Sequence, residues 1–353
     1  MVEIVQIVRR AGPVGGMEEY AWQLITHLAN KGRQVRILCE SCEQDVPTGV
    51  IVEKLPTIDR GPRWLRQRRF SKSVENWWSE NKRSGLILHS HEHVTTADVL
   101  SFHSTLHGWG ERKWYKKFDP TWHFNKQFEQ QIIFAKHLKH LVPVSGILFQ
   151  QIKDYYGNCA GKLSGPISPG VCEPVRLSNQ ISTSRPMAIG FMGREWKRKG
   201  LLEVIKIFRH LIENDSTLQL IVAGVPEDEI SPLIYGIEPK VQNLGWINDK
   251  ENFYSHVDLL IHPARLEAFG MVVTEALARG TKVLISDQVG ALSEIPDGHG
   301  CVMPNDCETE EWAACARKLL SKPAISKPYY SRGWGRVAED YNVIYKGFER
   351  VIR

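Results

Sequence analysis

The chain has 353 residues, of which 42% are apolar and 24% charged, so it is too long for one core of roughly 250–300 residues and has an ordinary globular composition. No apolar run approaches the ~20 residues that cross a bilayer, and the start, MVEIVQIV, carries no basic n-region, long apolar core or cleavage site, so a cytoplasmic protein is expected. The net charge of +5 is unevenly spread: residues 1–172 carry 23 Lys and Arg against 16 Asp and Glu, the remainder 22 against 24.

Short apolar strands alternate with longer amphipathic segments, the pattern of parallel sheets built from βαβ units. Residues 3–8 read as a strand, 18–29 as a helix closed at Lys31-Gly32, and 34–39 as a second strand. Cys39 and Cys42 lie at that strand's end with no second Cys/His pair at metal-ligand spacing, and the seven scattered cysteines are unlike a disulfide framework. Two basic, Trp-bearing stretches follow, RGPRWLRQRRFSK at 60–72 and ERKWYKKFDPTWHFNK at 111–126. They suit an anionic membrane face, a phosphorylated acceptor, or a plain solvated surface; no nucleic-acid motif accompanies them, so no nucleic-acid partner is expected. Residues 86–89, 96–103 and 141–145 read as further strands or their ends.

The string SPGVCEPVRLSNQISTSRP at 168–186 is rich in Pro and Ser and poor in periodicity. The alternation then restarts, with strands at 188–192, 218–223, 257–262 and 281–286 and helices at 199–213 and 271–279, the last ended by Gly280. A tail from about Tyr329 is amphipathic and helical. The expected organisation is a Rossmann-like domain over 1–172, a linker over 173–186, a second Rossmann-like domain over 187–330 and a helix over 331–353 returning to the first domain. Two such sheets in tandem imply a cleft, with ligands at the carboxyl ends of the strands.

Three segments carry chemistry. The loop RAGPVGGME, with Gly15 and Gly16, joins the first strand to the first helix, whose free N–H groups suit a phosphate or sugar; a plain turn explains it equally well. GFMGREWKRKG places Arg194 and Lys199 after a strand, where two cations would neutralise charge on a departing diphosphate. In HPARLEAFGMVVTEAL, Glu267 lies on a loop and Glu275 eight residues on, within an apolar helix where an ionised carboxylate needs partners such as ribose hydroxyls. The amides near Phe269, Gly270 and Met271 head that helix. A carboxylate pair also serves glycosidases, but two different backbone settings favour gripping two ends of one ligand. A dinucleotide-dependent oxidoreductase lacks its fingerprint here.

EAFGMVVTEALARG, GREWKRKG and PVGGMEEY, in this order, resemble the E-x7-E signature, the phosphate clamp and the glycine loop of the retaining family 4 glycosyltransferases of GT-B fold. IHPARLEAFG is especially similar to the corresponding stretch of bacterial lipopolysaccharide-core glucosyltransferases. The resemblance covers most of the chain. It implies that Glu267 contacts the transferred sugar and Glu275 the ribose, that Arg194 and Lys199 bind the diphosphate with Gly15 and Gly16 near it, and that His103 in LSFHSTLHG stands by the reacting carbon. His89, His91, His93 and His107 nearby leave a structural role open for His103. Ser168 in SPGVCEP stands where the family's turn usually has Asn. The resemblance further implies transfer of a hexose, glucose or a related sugar, from a nucleotide-sugar donor, UDP-linked in preference to GDP-linked. It also implies retention of configuration and no essential metal, in keeping with the absence of an Asp-x-Asp motif. The expected acceptor is a glycan or lipid-linked glycan such as lipopolysaccharide core, met at the inner membrane face. The alternative from another class is an inactive nucleotide-sugar-binding regulatory subunit.

Overall fold

A computed structural model of the chain describes residues 2–57, 60–104, 119–172, 185–247, 249–325, 328–329, 332–352. The chain divides into two compact units, Met1–Gly170 with Trp334–Arg353, and Val171–Gly333. The expected linker 173–186 falls, over 173–184, outside the described residues, as do residues 111–118 of the second basic stretch and His107.

The first unit runs β1 (Glu3–Ile7), β2 (Arg10–Ala11), α1 (Gly16–Asn30), β3 (Gln34–Cys39), β4 (Ser41–Cys42), β5 (Ile51–Lys54), α2 (Arg63–Asn81), β6 (Leu86–Ser90), β7 (Val99–Phe102), α3 (Pro120–Ile133), β8 (His140–Pro143) and α4 (Gly146–Tyr156). Its main sheet is ordered β5-β3-β1-β6-β7-β8, and every pairing in it is parallel. The apolar strands are buried on both faces, as helix-covered parallel strands require. Cys39 ends β3 and Cys42 lies in β4, both as free thiols.

The second unit runs β9 (Ala188–Met192), α5 (Trp196–Lys199), α6 (Leu201–Ile212), β10 (Gln219–Ala223), α7 (Glu227–Ile230), β11 (Val241–Asn243), α8 (Lys250–His256), β12 (Leu259–His262), α9 (Met271–Ala278), β13 (Lys282–Ser286), β14 (Gly300–Met303) and α10 (Thr309–Leu320). Its sheet is ordered β11-β10-β9-β12-β13-β14 and is also wholly parallel. α6 buries Leu201, Val204, Ile205, Phe208 and Leu211, a helical stripe that packs on the sheet. Residues 199–213, expected as one helix, are divided at Gly200, whose φ of +86° breaks the helical path.

Numbered within each sheet, both units have the strand order 3-2-1-4-5-6, the doubly wound order whose switch point lies between the first and fourth strands. Those strands are β1 and β6 in the first unit, β9 and β12 in the second. The architecture is α/β, two Rossmann-like domains of the GT-B class. The last helix, α11 (Trp334–Ile352), belongs to the first unit and packs on α1, with Lys31 paired to Glu339 and Arg33 to Glu349. Among the described residues no helix is long and apolar enough to cross a membrane.

Candidate functional site

In the second unit the loops leaving β9 and β12 are neighbours because the strands are. Lys199 folds back across Gly193: a Cβ there would lie 2.4 Å from the lysine Cδ, so only glycine leaves the side chain its path. Its Nζ comes to 3.7 Å from Oε2 of Glu267, and Nη1 of Arg198 comes to 3.1 Å from the same oxygen. Arg198 also donates to the Leu266 carbonyl at 2.7 Å and to Glu195. The Glu267 backbone is stitched to the loop after β13, its N–H donating to Gln288 and its carbonyl accepting from Gly290. Burial alone would raise the Glu267 pKa, but Lys199, Arg198 and His262 together hold it below the ordinary carboxylate value. Two cations thus converge on the Glu267 carboxylate, Arg198 being shared with Glu195, and their N–H donors suit a diphosphate.

His262 lies behind this cluster at the end of β12, fully buried, with Nε2 3.9 Å from Glu267. Neither ring nitrogen has a hydrogen-bond partner among the described residues, and burial pushes its pKa down to about 3. A neutral imidazole therefore backs the Glu267 carboxylate.

Glu275 belongs to a second network. α9 starts from Gly270, whose φ of +90° and approach to Val289 exclude a side chain, while buried Phe269 accepts a hydrogen bond from Ala291 and Met271 opens the helix half-buried. One turn in, the Glu275 carboxylate receives Lys250 Nζ at 2.7 Å on one oxygen and the Tyr254 hydroxyl at 2.9 Å on the other. Arg279 donates to the Glu275 carbonyl, pairs with Glu251 and lies over the Tyr254 ring. Burial would raise this carboxyl's pKa, and Lys250, Tyr254 and Arg279 bring it below the usual value.

Arg194 takes another course. It is exposed, its guanidinium lying 5.7 Å from the centroid of exposed Trp246. Arg198, rather than Arg194, pairs with Glu267.

In the first unit Gly15 is the N-cap of α1, and Gly16 faces open space. The Glu18 carboxylate lies beside Gly15 and pairs with Arg10 at 2.6 Å, so a carboxylate already occupies the head of this helix, where negative charge is favoured. His103 follows β7, half-buried, with Nε2 3.1 Å from Nδ1 of His91 and its ring edge against Tyr20. Burial, then His91 and His93, hold its pKa well below the ordinary histidine value.

Arg198, Lys250, Tyr254 and His91 escaped the sequence reading. Arg198 had a signal, since it adjoins Lys199 in WKRKG, but sequence cannot say which of three consecutive cations turns inward. Lys250 and Tyr254 lie four apart on α8, and nothing in the chain ties that face to residue 275.

A family profile described as Glycosyltransferase Family 4 matches residues 14–170, and one described as Glycosyl transferases group 1 matches residues 178–333. The capsular polysaccharide biosynthesis glycosyltransferase CapM of Staphylococcus aureus is 25% identical over 159 residues, 44% of this chain and 42% of that protein, so this match spans less than half of the relative's length. The lipopolysaccharide glucosyltransferase WaaG of Escherichia coli K12 is 22% identical over 339 residues, 89% of this chain and 88% of WaaG. The crystal structure of WaaG, a glycosyltransferase involved in lipopolysaccharide biosynthesis, matches with a TM-score of 0.79 at 20% identity, covering 99% of this chain and 98% of that one. Anabaena HepE in complex with UDP and glucose matches at 0.69 and 14% identity, over 98% and 100% of the two chains. With one glycosyltransferase profile on each domain and the GT-B architecture over the whole length, the chain belongs to the family 4 glycosyltransferases.

Proposed function

We propose that this chain transfers a hexose, glucose in preference, from a UDP-sugar to a cell-surface glycan acceptor of the lipopolysaccharide-core kind, with retention of anomeric configuration. The observation that carries the reading is the convergence of Lys199 and Arg198 on Glu267 at the switch point of the second sheet. The C1–O bond to the diphosphate breaks with its electron pair leaving on phosphate, and the acceptor hydroxyl oxygen forms the new bond to C1 as its proton passes to the departing phosphate oxygen. Lys199 and Arg198 neutralise the growing phosphate charge, and Arg194 supplies a further cation from the same loop. Glu267 orients the sugar hydroxyls, Glu275 accepts from the ribose, and the amides at Phe269, Gly270 and Met271 face the donor's anionic groups. At the head of α1 Gly16 leaves open space for the donor, while at Gly15 the Glu18 carboxylate has to give way to it. His103 is the candidate for the residue beside the reacting carbon. The likeness to the lipopolysaccharide glucosyltransferase WaaG and to HepE in complex with UDP and glucose favours the lipopolysaccharide class and the uridine donor.

The acceptor side rests on α2 and α3. Trp64 stacks on Phe124, and the Arg68 guanidinium lies 5.3 Å and 5.2 Å from the Phe124 and Phe128 ring centroids, beside exposed Arg63 and Arg69. This basic, aromatic surface fits a peripheral site on an anionic membrane, each cation contributing about 1 kcal/mol near the surface. Co-sedimentation with phosphatidylglycerol vesicles should fall at high salt; binding indifferent to anionic lipid would oppose it.

The decisive experiment is a thermal-shift screen across UDP, GDP and their sugars, followed by transfer assays on core-truncated lipopolysaccharide. UDP-glucose should give the largest shift and a glycosylated product. Stabilisation by donor without transfer to any acceptor would favour a binding subunit instead.

A further inference from the structure

The transfer step leaves His262 without a task. It ends β12 directly behind Glu267 and is fully buried, yet neither ring nitrogen has a hydrogen-bond partner among the described residues. Buried polar groups are nearly always paired, because an unmet donor keeps the whole cost of leaving water. The surrounding backbone has no freedom to mend this. His262 is in register with Ile285 of β13, and the Ser286 hydroxyl donates to the Ala264 carbonyl at 2.5 Å. A Cβ on Gly200 would lie 2.6 Å from the Pro263 oxygen, so the turn bearing Arg198 and Lys199 rests directly on the residue after His262. Glu267 is pinned in turn through its N–H and carbonyl to Gln288 and Gly290. What can move is its carboxylate.

Arg198 Nη1 at 3.1 Å, Lys199 Nζ at 3.7 Å and His262 Nε2 at 3.9 Å all make their closest approach to Oε2 of Glu267. Oε1 has no hydrogen-bond partner among the described residues and is the oxygen left for a ligand. Burial first, and then Lys199, push the His262 pKa down to about 3 against the pull of Glu267, so the ring is neutral and carries one proton. A diphosphate has more charge and more acceptor oxygens than one carboxylate and draws both cations toward itself. As they turn to it, Oε2 loses its donors, and a shift of about 1 Å brings it within ordinary hydrogen-bond distance of Nε2. Both buried groups are then paired.

We propose that His262 is a positioning residue for the transferred sugar: on donor binding its Nε2–H takes over Oε2 of Glu267 from Arg198 and Lys199, keeping the carboxylate ionised and Oε1 turned to the sugar hydroxyls. This role for His262 rests on the donor reading of the site.

The test is multiple-bond ¹H–¹⁵N correlation on the full chain labelled at histidine at pH 7.5, free and with saturating UDP or GDP, whichever raises the melting temperature more. The nucleotide should leave His262 wholly in its Nε2–H form and move that proton downfield, and Glu267→Ala should abolish the movement. A nucleotide that binds and leaves the ring unchanged, or finds it as Nδ1–H or imidazolium, overturns the proposal alone. A movement that survives in Glu267→Ala belongs to the phosphate and overturns it too. If neither nucleotide binds, the donor reading fails and this role with it. His262→Met removes a group unpaired in the free protein and paired in the complex, so the free melting temperature should hold or rise while nucleotide affinity falls about tenfold. His262→Gln, which keeps a donor, should restore the affinity. A lower melting temperature with unchanged affinity in both variants would reduce His262 to packing.

Discussion

Lys250 and Glu275 meet at 2.7 Å, on elements joined only through the fold, with the Tyr254 hydroxyl on the other carboxylate oxygen. The Glu275 charge is therefore satisfied before any ligand arrives, and its strong partners keep it ionised in a buried helix.

Removing that carboxylate should act on donor binding more than on chemistry. Two charge-assisted hydrogen bonds to ribose would be lost, so Glu275→Ala should raise donor KM at least tenfold, on the order of 1.4 kcal/mol or more, with kcat less affected. Lys250→Met leaves Tyr254 on the carboxylate and Arg279 on the Glu275 carbonyl, and should weaken donor binding less. Initial-rate kinetics over donor concentration read both, and an unchanged KM in Glu275→Ala would remove this residue from the donor site.

Lys199 and Gly193 are coupled by space alone. Lys199→Met should lower kcat by roughly 10²–10³, or ~2.7–4 kcal/mol, if the cation stabilises the leaving diphosphate as one preorganised contact does. Gly193→Ala should lower kcat in the same direction without unfolding the protein, because its new Cβ displaces a flexible side chain. The pair is checked by kcat alongside melting temperature. Full activity in Gly193→Ala would mean that the observed path of Lys199 is not the working one.

The strands carrying the fold were readable because a parallel strand buried on both faces is a short apolar run: the strand spans at 34–39 and 188–192 coincide with β3 and β9. The exposed or irregular strands β5, β11 and β14 lack that signal. Glu267, Lys199 and Glu275 stood out as charges beside glycine or within apolar helix. Arg198, Lys250 and His91 did not, since their importance lies in contacts across 25 to 85 residues or in which of several adjacent like residues turns inward. The Arg194 side chain, over Trp246, was equally beyond the reach of spacing.

Transfer should persist in excess EDTA. Lys199 and Arg198 already supply two positive charges at the position where the diphosphate is proposed to sit, the role a divalent ion plays in metal-dependent transferases. Activity measured after chelation and gel filtration should match the untreated enzyme, and a loss restored by Mn²⁺ would refute this.

Stability should fall as pH drops below about 6.5. His89 and His262 have folded pKa values near 3 against an ordinary 6.5, both lowered by burial, and His91 is shifted the same way. Between those limits the unfolded chain binds protons that the folded one refuses, so the stabilisation is complete above the unfolded value and is lost on acidification. Each such histidine contributes a slope of ~1.4 kcal/mol per pH unit. Glu92 works in the opposite sense: burial raises its pKa to about 7, so between about 4.5 and 7 the folded state takes up one proton more readily and offsets one histidine. Glu267 and Glu275, both lowered, add a further loss only below the ordinary carboxylate range. The net expectation is a fall of at least ~1.4 kcal/mol per pH unit from pH 6.5 to 4.5. Urea denaturation at a series of pH values measures it, and His262→Gln should flatten the slope by one proton. Constant stability from pH 7.5 to 5 would show that the folded chain takes up as many protons as the unfolded one, against neutral buried rings at His89 and His262.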